Sequence, residues 1–197
     1  MYNEKPDKLS LELGKGIENI KIIKNFIPKN DIDLLVMYGW CFSDYKKNNN
    51  WPNGFLIPDK IKDLVLDYEN RMIAAAEKFY NRKFEKDRSM DFSYREEGSF
   101  VEKHSDNIKS EKDFAKKINT DNLAWSGHLS IIGYLNDNFS GGEIYFPEQD
   151  FEYSPKAGDI IMFPGNIFYE HEVKKFHGEK RITMSIWTRF LDFTGEV

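Results

Sequence analysis

The sequence predicts an α+β protein in which helices come first and a two-sheet β unit follows. Three observations carry this expectation. Residues 58–84 place Ile61, Leu64, Val65, Tyr68, Met72, Ala75, Ala76 and Phe79 at helical spacing. From about residue 88 the texture changes to short alternating runs rich in β-branched and aromatic side chains. Turn signals separate those runs ("EEGS", "NDNFSGG", "SPKAGD", "FPGN" and "HGEK"), at the spacing of a β-sandwich or barrel.

Taken in order, the first ten residues read as a loose terminus. Residues 17–27, "IENIKIIKNFI", alternate apolar and polar positions and predict a strand that Pro28 ends. Residues 29–40 predict a short helix capped by Asn30 or Asp31. "KKNNN" followed by "WPNG" predicts an exposed loop with a turn, and Pro58 stands near the start of the second helix. Strands are expected over 90–95, 99–106, 128–135, 143–146, 159–163, 171–175 and 181–190. A charged insertion, 108–125, interrupts them, with helical texture around "SEKDFAKKI". Insertions of that length serve as lids or mobile segments, so a role at the site is expected. The organisation expected is one domain, 1–197, with an N-terminal strand and helices over 1–87 and the β core over 88–197.

Composition narrows the function classes. The chain has 197 residues, 40% hydrophobic, which suits one domain with a sizeable core. The net charge of −5 and a pI near 5.5 lack the basic footprint of a nucleic-acid binder, so no nucleic-acid partner is expected. Cys41 is the only cysteine, so no internal disulfide can form, which fits a reducing compartment. The stretch "MYNEKPDKLS" lacks the apolar core of a signal peptide, and no run approaches the roughly 20 apolar residues of a bilayer span. No membrane partner and a cytoplasmic location are therefore expected.

The stretch "SFVEKHSDN" carries the chemistry. It places His104 and Asp106 two residues apart, and i, i+2 residues of a strand project from one face. Such a pair alone is more often structural than metal-binding. His171, in "FYEHEVKKF", supplies a third ligand. Two imidazoles and one carboxylate on one face of a metal leave the opposite positions open, the arrangement associated with non-haem Fe(II) oxygenases. Zinc is the competitor. In "RITMSIWTRF", alternation puts Arg181, Thr183, Ser185 and Trp187 on one face. An inward arginine in an apolar strand calls for an anion, and a guanidinium offers a carboxylate two parallel donors. The bland alternative is an internal Asp or Glu partner, or an outward orientation.

These motifs occur in a recognisable order: His104-Ser105-Asp106, "GYLNDNFSGGEIYFP", "KAGDIIMFPGNIFYEHEV", then "GEKRITMSIW". Over residues 90–190 the chain resembles the Fe(II)/2-oxoglutarate dioxygenases, in particular the prolyl 4-hydroxylase-like branch. The resemblance implies a double-stranded β-helix core (jelly-roll, cupin-like) with N-terminal support helices. It implies that His104, Asp106 and His171 hold Fe(II), and that Arg181 meets the distal carboxylate of 2-oxoglutarate. Tyr94, ten residues before His104, and Tyr134 match positions lining the co-substrate pocket in the hypoxia-type prolyl hydroxylases. Thr183 would add a hydrogen bond to that carboxylate and Trp187 would wall the iron site. O2 is the second co-substrate and ascorbate the reductant of such enzymes.

Several nearby residues receive other readings. His177 lies in a turn and is expected to be exposed, His128 is expected to be a buried structural residue, and Lys180 should face away from Arg181. Gly141 and Gly142 should serve a tight turn. The function expected is hydroxylation of prolyl residues in a peptide or protein acceptor, like a procollagen-proline 4-dioxygenase. Competing readings are a hydroxylase of a free amino acid or small metabolite, and a non-catalytic cupin-like metal-binding module. Nucleic-acid demethylation is disfavoured by the acidic balance.

Overall fold

The computed structural model describes residues 14–48, 58–86, 90–106 and 129–190, with the side chains of 42–48, 167, 189 and 190 excepted. The insertion 108–125, His128, the terminal ten residues and the "NNWPNGF" loop lie outside them. Helix α1 spans Lys29–Asn48 and α2 spans Asp59–Tyr80. The strands are β1 Lys21–Ile23, β2 Phe84–Lys86, β3 Asp91–Arg95, β4 Val101–His104, β5 Leu129–Tyr134 and β6 Phe139–Gly141. They continue as β7 Ile144–Phe146, β8 Phe151–Tyr153, β9 Ile160–Pro164, β10 His171–Val173, β11 Phe176–Gly178 and β12 Arg181–Phe190. No described helix is long and apolar enough to cross a membrane.

The helices and first strand depart from expectation for local reasons. The strand expected over 17–27 shrinks to Lys21–Ile23, bounded by a 3-10 turn at Ile17–Asn19 and by Asn25, which takes a left-handed conformation (φ 53°). The Asn25 amide then donates to Asp159 Oδ1 at 2.8 Å. Helix α1 begins at Lys29 rather than at a cap on Asn30 or Asp31. The Pro28 carbonyl accepts from the Asp31 and Ile32 amides, and Asp31 instead takes the Tyr68 hydroxyl at 2.6 Å. The helix runs on past the expected end at residue 40, and the missing side chain of Gly39 makes room for β3: a Cβ there would lie 2.4 Å from the Phe92 ring. Helix α2 buries Ile61, Val65, Tyr68, Met72 and Ala76, as its periodicity predicts, and ends at Asn81 in the left-handed conformation. Glu69 is buried in the same stripe, where it accepts the Met90 amide at 2.6 Å and pairs with Lys86.

The strands form two antiparallel sheets. The larger runs β1-β9-β5-β12-β2, with β3 also paired to β12, and the smaller runs β4-β10-β7-β8; β6 and β11 make a two-stranded ribbon. Alternation sorts the large sheet into two faces. Leu129, Ile131, Ile160, Met162, Met184 and Ile186 pack with the helices. Tyr134, Ile161 and Phe163 point the other way and pack with Ile144 and Phe146 of the small sheet. The candidate site therefore lies on the face between the sheets, and the helices brace the opposite face. The loop expected at Gly141 is a close crossing: with φ 79°, it sits where a Cβ would come within 2.4 Å of the Lys175 carbonyl.

Candidate metal centre

Strand pairing brings the three predicted ligands together. His104 and His171 stand directly opposite one another across β4 and β10, with ring centroids 4.4 Å apart. Asp106 follows in the turn after β4. Ligand atoms of the three residues all lie within 4.8 Å of one another. Asp106 Oδ1 is 3.2 Å from His104 Nε2 and 3.9 Å from His171 Nε2.

Each ligand is oriented from behind. His104 Nδ1–H donates to the Glu102 carbonyl at 2.8 Å, and His171 Nδ1–H to the Tyr169 carbonyl at 3.1 Å. Both rings thus present Nε2 to the same space, the tautomer a metal takes. The second carboxylate oxygen, Asp106 Oδ2, accepts the Ser130 hydroxyl and, at 3.3 Å, the Trp187 indole N–H. Ser130 and Trp187 are themselves opposite one another across β5 and β12, so one register position supplies both donors.

The electrostatics follow from burial and contact. Burial opposes ionisation of Asp106, but the His104 hydrogen bond, the His171 ring and the Ser130 hydroxyl outweigh it and hold the carboxyl well below its usual range. The hydrogen bond to Asp106 raises His104. Burial lowers His171, which is packed between the Phe146 and Phe163 rings and only 3% exposed. A neutral imidazole and a firmly ionised carboxylate are the forms that bind a metal.

Arg181 faces the same interior. It is 4% exposed, and among the described residues its Nε has no hydrogen-bond partner. Its guanidinium carbon lies 5.3 Å from the Tyr134 ring centroid. The Tyr134 hydroxyl is buried and, among the described residues, makes no well-formed hydrogen bond, although it is close enough to Arg181 for each to act on the other's charge. Burial lowers the Arg181 pKa and raises that of Tyr134. Thr183, buried, lies opposite Tyr134 across β12 and β5. Lys180 turns outward to Glu96 at 2.6 Å, and His177 is exposed beside Glu97.

The chain's relatives bear directly on this arrangement. The family model described as the 2OG-Fe(II) oxygenase superfamily matches residues 90–189. The chain belongs to that superfamily. No curated protein matches it in sequence. Among solved structures it is similar to a viral collagen prolyl hydroxylase from Paramecium Bursaria Chlorella virus-1 in complex with 2OG. That match has TM-score 0.59 and 15% identity, covering 87% of this chain and 95% of the other. It is similar to a Pseudomonas putida prolyl-4-hydroxylase at TM-score 0.56 and 19% identity, covering 87% and 88%. It is also similar to a Trichoplax adhaerens prolyl hydroxylase in complex with a hypoxia inducible factor peptide, at TM-score 0.62 and 14% identity, covering 92% and 86%. At these identities the likeness is one of fold, the double-stranded β-helix of the 2OG-Fe(II) oxygenases.

The residues present fit the groups this superfamily uses: Fe(II), 2-oxoglutarate and O2. Two imidazole nitrogens and one carboxylate oxygen form a donor set for Fe(II). The unpartnered Arg181 Nε and Tyr134 hydroxyl are buried donors suited to a carboxylate. One expectation is corrected. Tyr94 lies opposite Ile182 on β12, the helix-facing side, and packs in the helix-side core. Its hydroxyl donates to the Val36 carbonyl of α1. Tyr94 therefore braces a helix and does not line the space around Arg181. Sequence reasoning missed Ser130, although the alternation that puts Ser130, Ile132 and Tyr134 on one face was the available signal. It also gave Trp187 only a walling role, whereas its N–H holds Asp106.

Proposed function

We propose that this 2OG-Fe(II) oxygenase hydroxylates prolyl residues in a peptide or protein acceptor, with His104, Asp106 and His171 holding Fe(II). In this reading Arg181, Tyr134 and Thr183 bind the distal carboxylate of 2-oxoglutarate, and the whole chain, 1–197, is one catalytic domain. The observation that carries it is the meeting of three ligand atoms within 4.8 Å, on the interior that also holds a buried guanidinium paired with no carboxylate among the described residues. The chain's likeness in fold to three prolyl hydroxylases supports the choice of acceptor.

When bound, iron couples the decarboxylation of 2-oxoglutarate to hydroxylation of a C–H bond, one oxygen atom of O2 going to succinate and the other to the acceptor. The chain's own residues orient and exclude. Glu102 and Tyr169 carbonyls fix the imidazole tautomers, and Ser130 and Trp187 fix the carboxylate so that Oδ1 faces the metal. Phe146 and Phe163 keep water from the inner imidazole. Arg181 orients a dianion by neutralising its tail in a low-dielectric interior. Ascorbate would serve as a reductant for the bound iron.

The test is a screen of proline-containing peptides, free amino acids and small metabolites with Fe(II), 2-oxoglutarate and ascorbate in air and under argon. Oxygen-dependent succinate formation, with a gain of one oxygen in a proline-containing peptide, is the expected result. Gain of oxygen only in a free amino acid or metabolite overturns the acceptor. Metal binding with no succinate formed overturns the enzymatic reading in favour of a binding module.

A further inference from the structure

The second arginine on the inner face has no role in the site described above. Arg95 lies directly opposite Arg181 in the β3–β12 ladder. Directly opposed residues of an antiparallel pair share a face, with Cβ atoms about 5 Å apart, and like charges so placed are destabilising. Arg95 therefore faces the same interior as the buried Arg181. Among the described residues neither guanidinium meets a carboxylate. The acids nearest in sequence are engaged elsewhere: Glu96 pairs with Lys180 at 2.6 Å, and Glu97 takes the Gly178 amide and lies 3.6 Å from His177. Arg95 is thus beside Arg181 on β12, and it lies on the strand that precedes the His104 strand.

Exposure separates the two arginines. Arg181 is sealed in, whereas Arg95 is half-buried on β3, which among the described strands pairs only with β12. A cation at that depth reaches an incoming molecule rather than the floor of the pocket. A dicarboxylate whose head binds the metal has one tail, and Arg181 with Tyr134 supplies its donors. A second unpaired guanidinium leaves room for a second anion.

We propose that Arg95 binds a carboxylate of the acceptor, so that this enzyme selects a target carrying a negative charge close to the carbon it oxidises. This rests on the prolyl-hydroxylase reading and deepens it by naming the acceptor as acidic. Two sources share the chemistry: a glutamate flanking a prolyl residue in a peptide, and the α-carboxylate of a C-terminal prolyl residue.

The experiment compares paired compounds that differ in that charge. One arm uses peptides with glutamate or glutamine next to proline, and the other uses peptides ending in proline or in prolinamide. Each is tested with the wild-type protein, Arg95→Gln, Arg95→Lys and, as a control for an exposed nearby charge, Lys180→Gln. Oxidation is read by mass, and binding by calorimetry under argon with Mn(II) and 2-oxoglutarate. The wild type should bind the charged member of one pair about tenfold more tightly. Arg95→Gln should lose that preference, Arg95→Lys should keep part of it, and Lys180→Gln should keep all of it. Metal retention and the 2-oxoglutarate requirement should stay unchanged throughout. The arm in which the preference appears identifies the source.

Equal binding of both members in the wild type overturns the proposal, as does a preference that survives Arg95→Gln. A 2-oxoglutarate requirement that rises in Arg95→Gln also overturns it, because Arg95 would then serve the co-substrate. If proline compounds are oxidised without charge preference, this assignment falls and the prolyl reading stands. If carboxylates bind through Arg95 but no proline compound is oxidised, the prolyl reading falls and this assignment stands.

Discussion

Removing the Ser130 hydroxyl should loosen the metal without touching a ligand. Asp106 faces the metal space with Oδ1 because Oδ2 is held by Ser130 and Trp187. Ser130 is 1% exposed and the Asp106 side chain 12%, so water has little access to replace a lost donor. A hydrogen bond to an ionised group contributes about 1.5–3 kcal/mol. About 0.5 kcal/mol of that is recovered when the carboxylate turns toward another partner, leaving about 1–2.5 kcal/mol. At 1.4 kcal/mol per tenfold this is a loss of roughly 5- to 60-fold in metal affinity, overlapping the roughly 10- to 100-fold typical of residues that orient metal ligands. Trp187→Phe removes a longer bond, 3.3 Å, and should weaken binding by about tenfold or less. The assay is a competitive titration of Ser130→Ala, Trp187→Phe and the double variant against a chromophoric chelator, with thermal unfolding to confirm the fold. Wild-type affinity in the double variant would show that Asp106 is positioned by something else.

Arg181→Gln should raise the 2-oxoglutarate requirement by about 30-fold or more while metal affinity is unchanged, because it removes a buried charge partner. A larger effect from Lys180→Ala, read in the same succinate assay, would mean that the register of β12 is misassigned. Glu69→Ala should destabilise the fold by about 1–3 kcal/mol, because the buried Met90 amide loses its acceptor; urea unfolding measures it. Metal affinity should fall as pH is lowered, and begin to fall above the ordinary imidazole value of 6.5, because His104 holds its proton more tightly than free imidazole and the metal requires the neutral ring. In the metal-free protein the sign reverses. The charged His104–Asp106 pair stabilises the fold below 6.5, and that contribution disappears as pH rises through the raised His104 value. Titrations between about pH 6 and about pH 8, with and without metal, check both signs.

Long periodic segments were the legible part of this fold. Helix α2 and strand β12 repeat their pattern over 22 and 10 residues, enough for a face to declare itself. The parity of β12 put Arg181, Thr183 and Trp187 on the site side, where they are found. The three-residue strands β2, β6, β8 and β11 were not legible, because so few positions show no period and their partners are distant in sequence. The tyrosine pair shows the limit best. Tyr134 and Tyr94 look equivalent as letters, but the pairing of Tyr94 with Ile182 turns it toward α1. Strand register decides that face, and register is a long-range property. Ser130 and Glu69 were overlooked for a related reason: their value lies in a partner, Asp106 or the Met90 amide, 24 or 21 residues away.

The account rests on one ferrous ion held by His104, Asp106 and His171, with 2-oxoglutarate anchored at Arg181. Anaerobic titration of the protein with Fe(II) and then 2-oxoglutarate reads both at once, through the visible charge-transfer band of a 2-oxo acid chelated to iron. The wild type should develop that band with saturable dependence on both components. His104→Ala should show none, and Arg181→Gln should need far more 2-oxoglutarate to reach it. A band of undiminished strength in His104→Ala, or none in the wild type with both components present, would contradict the account.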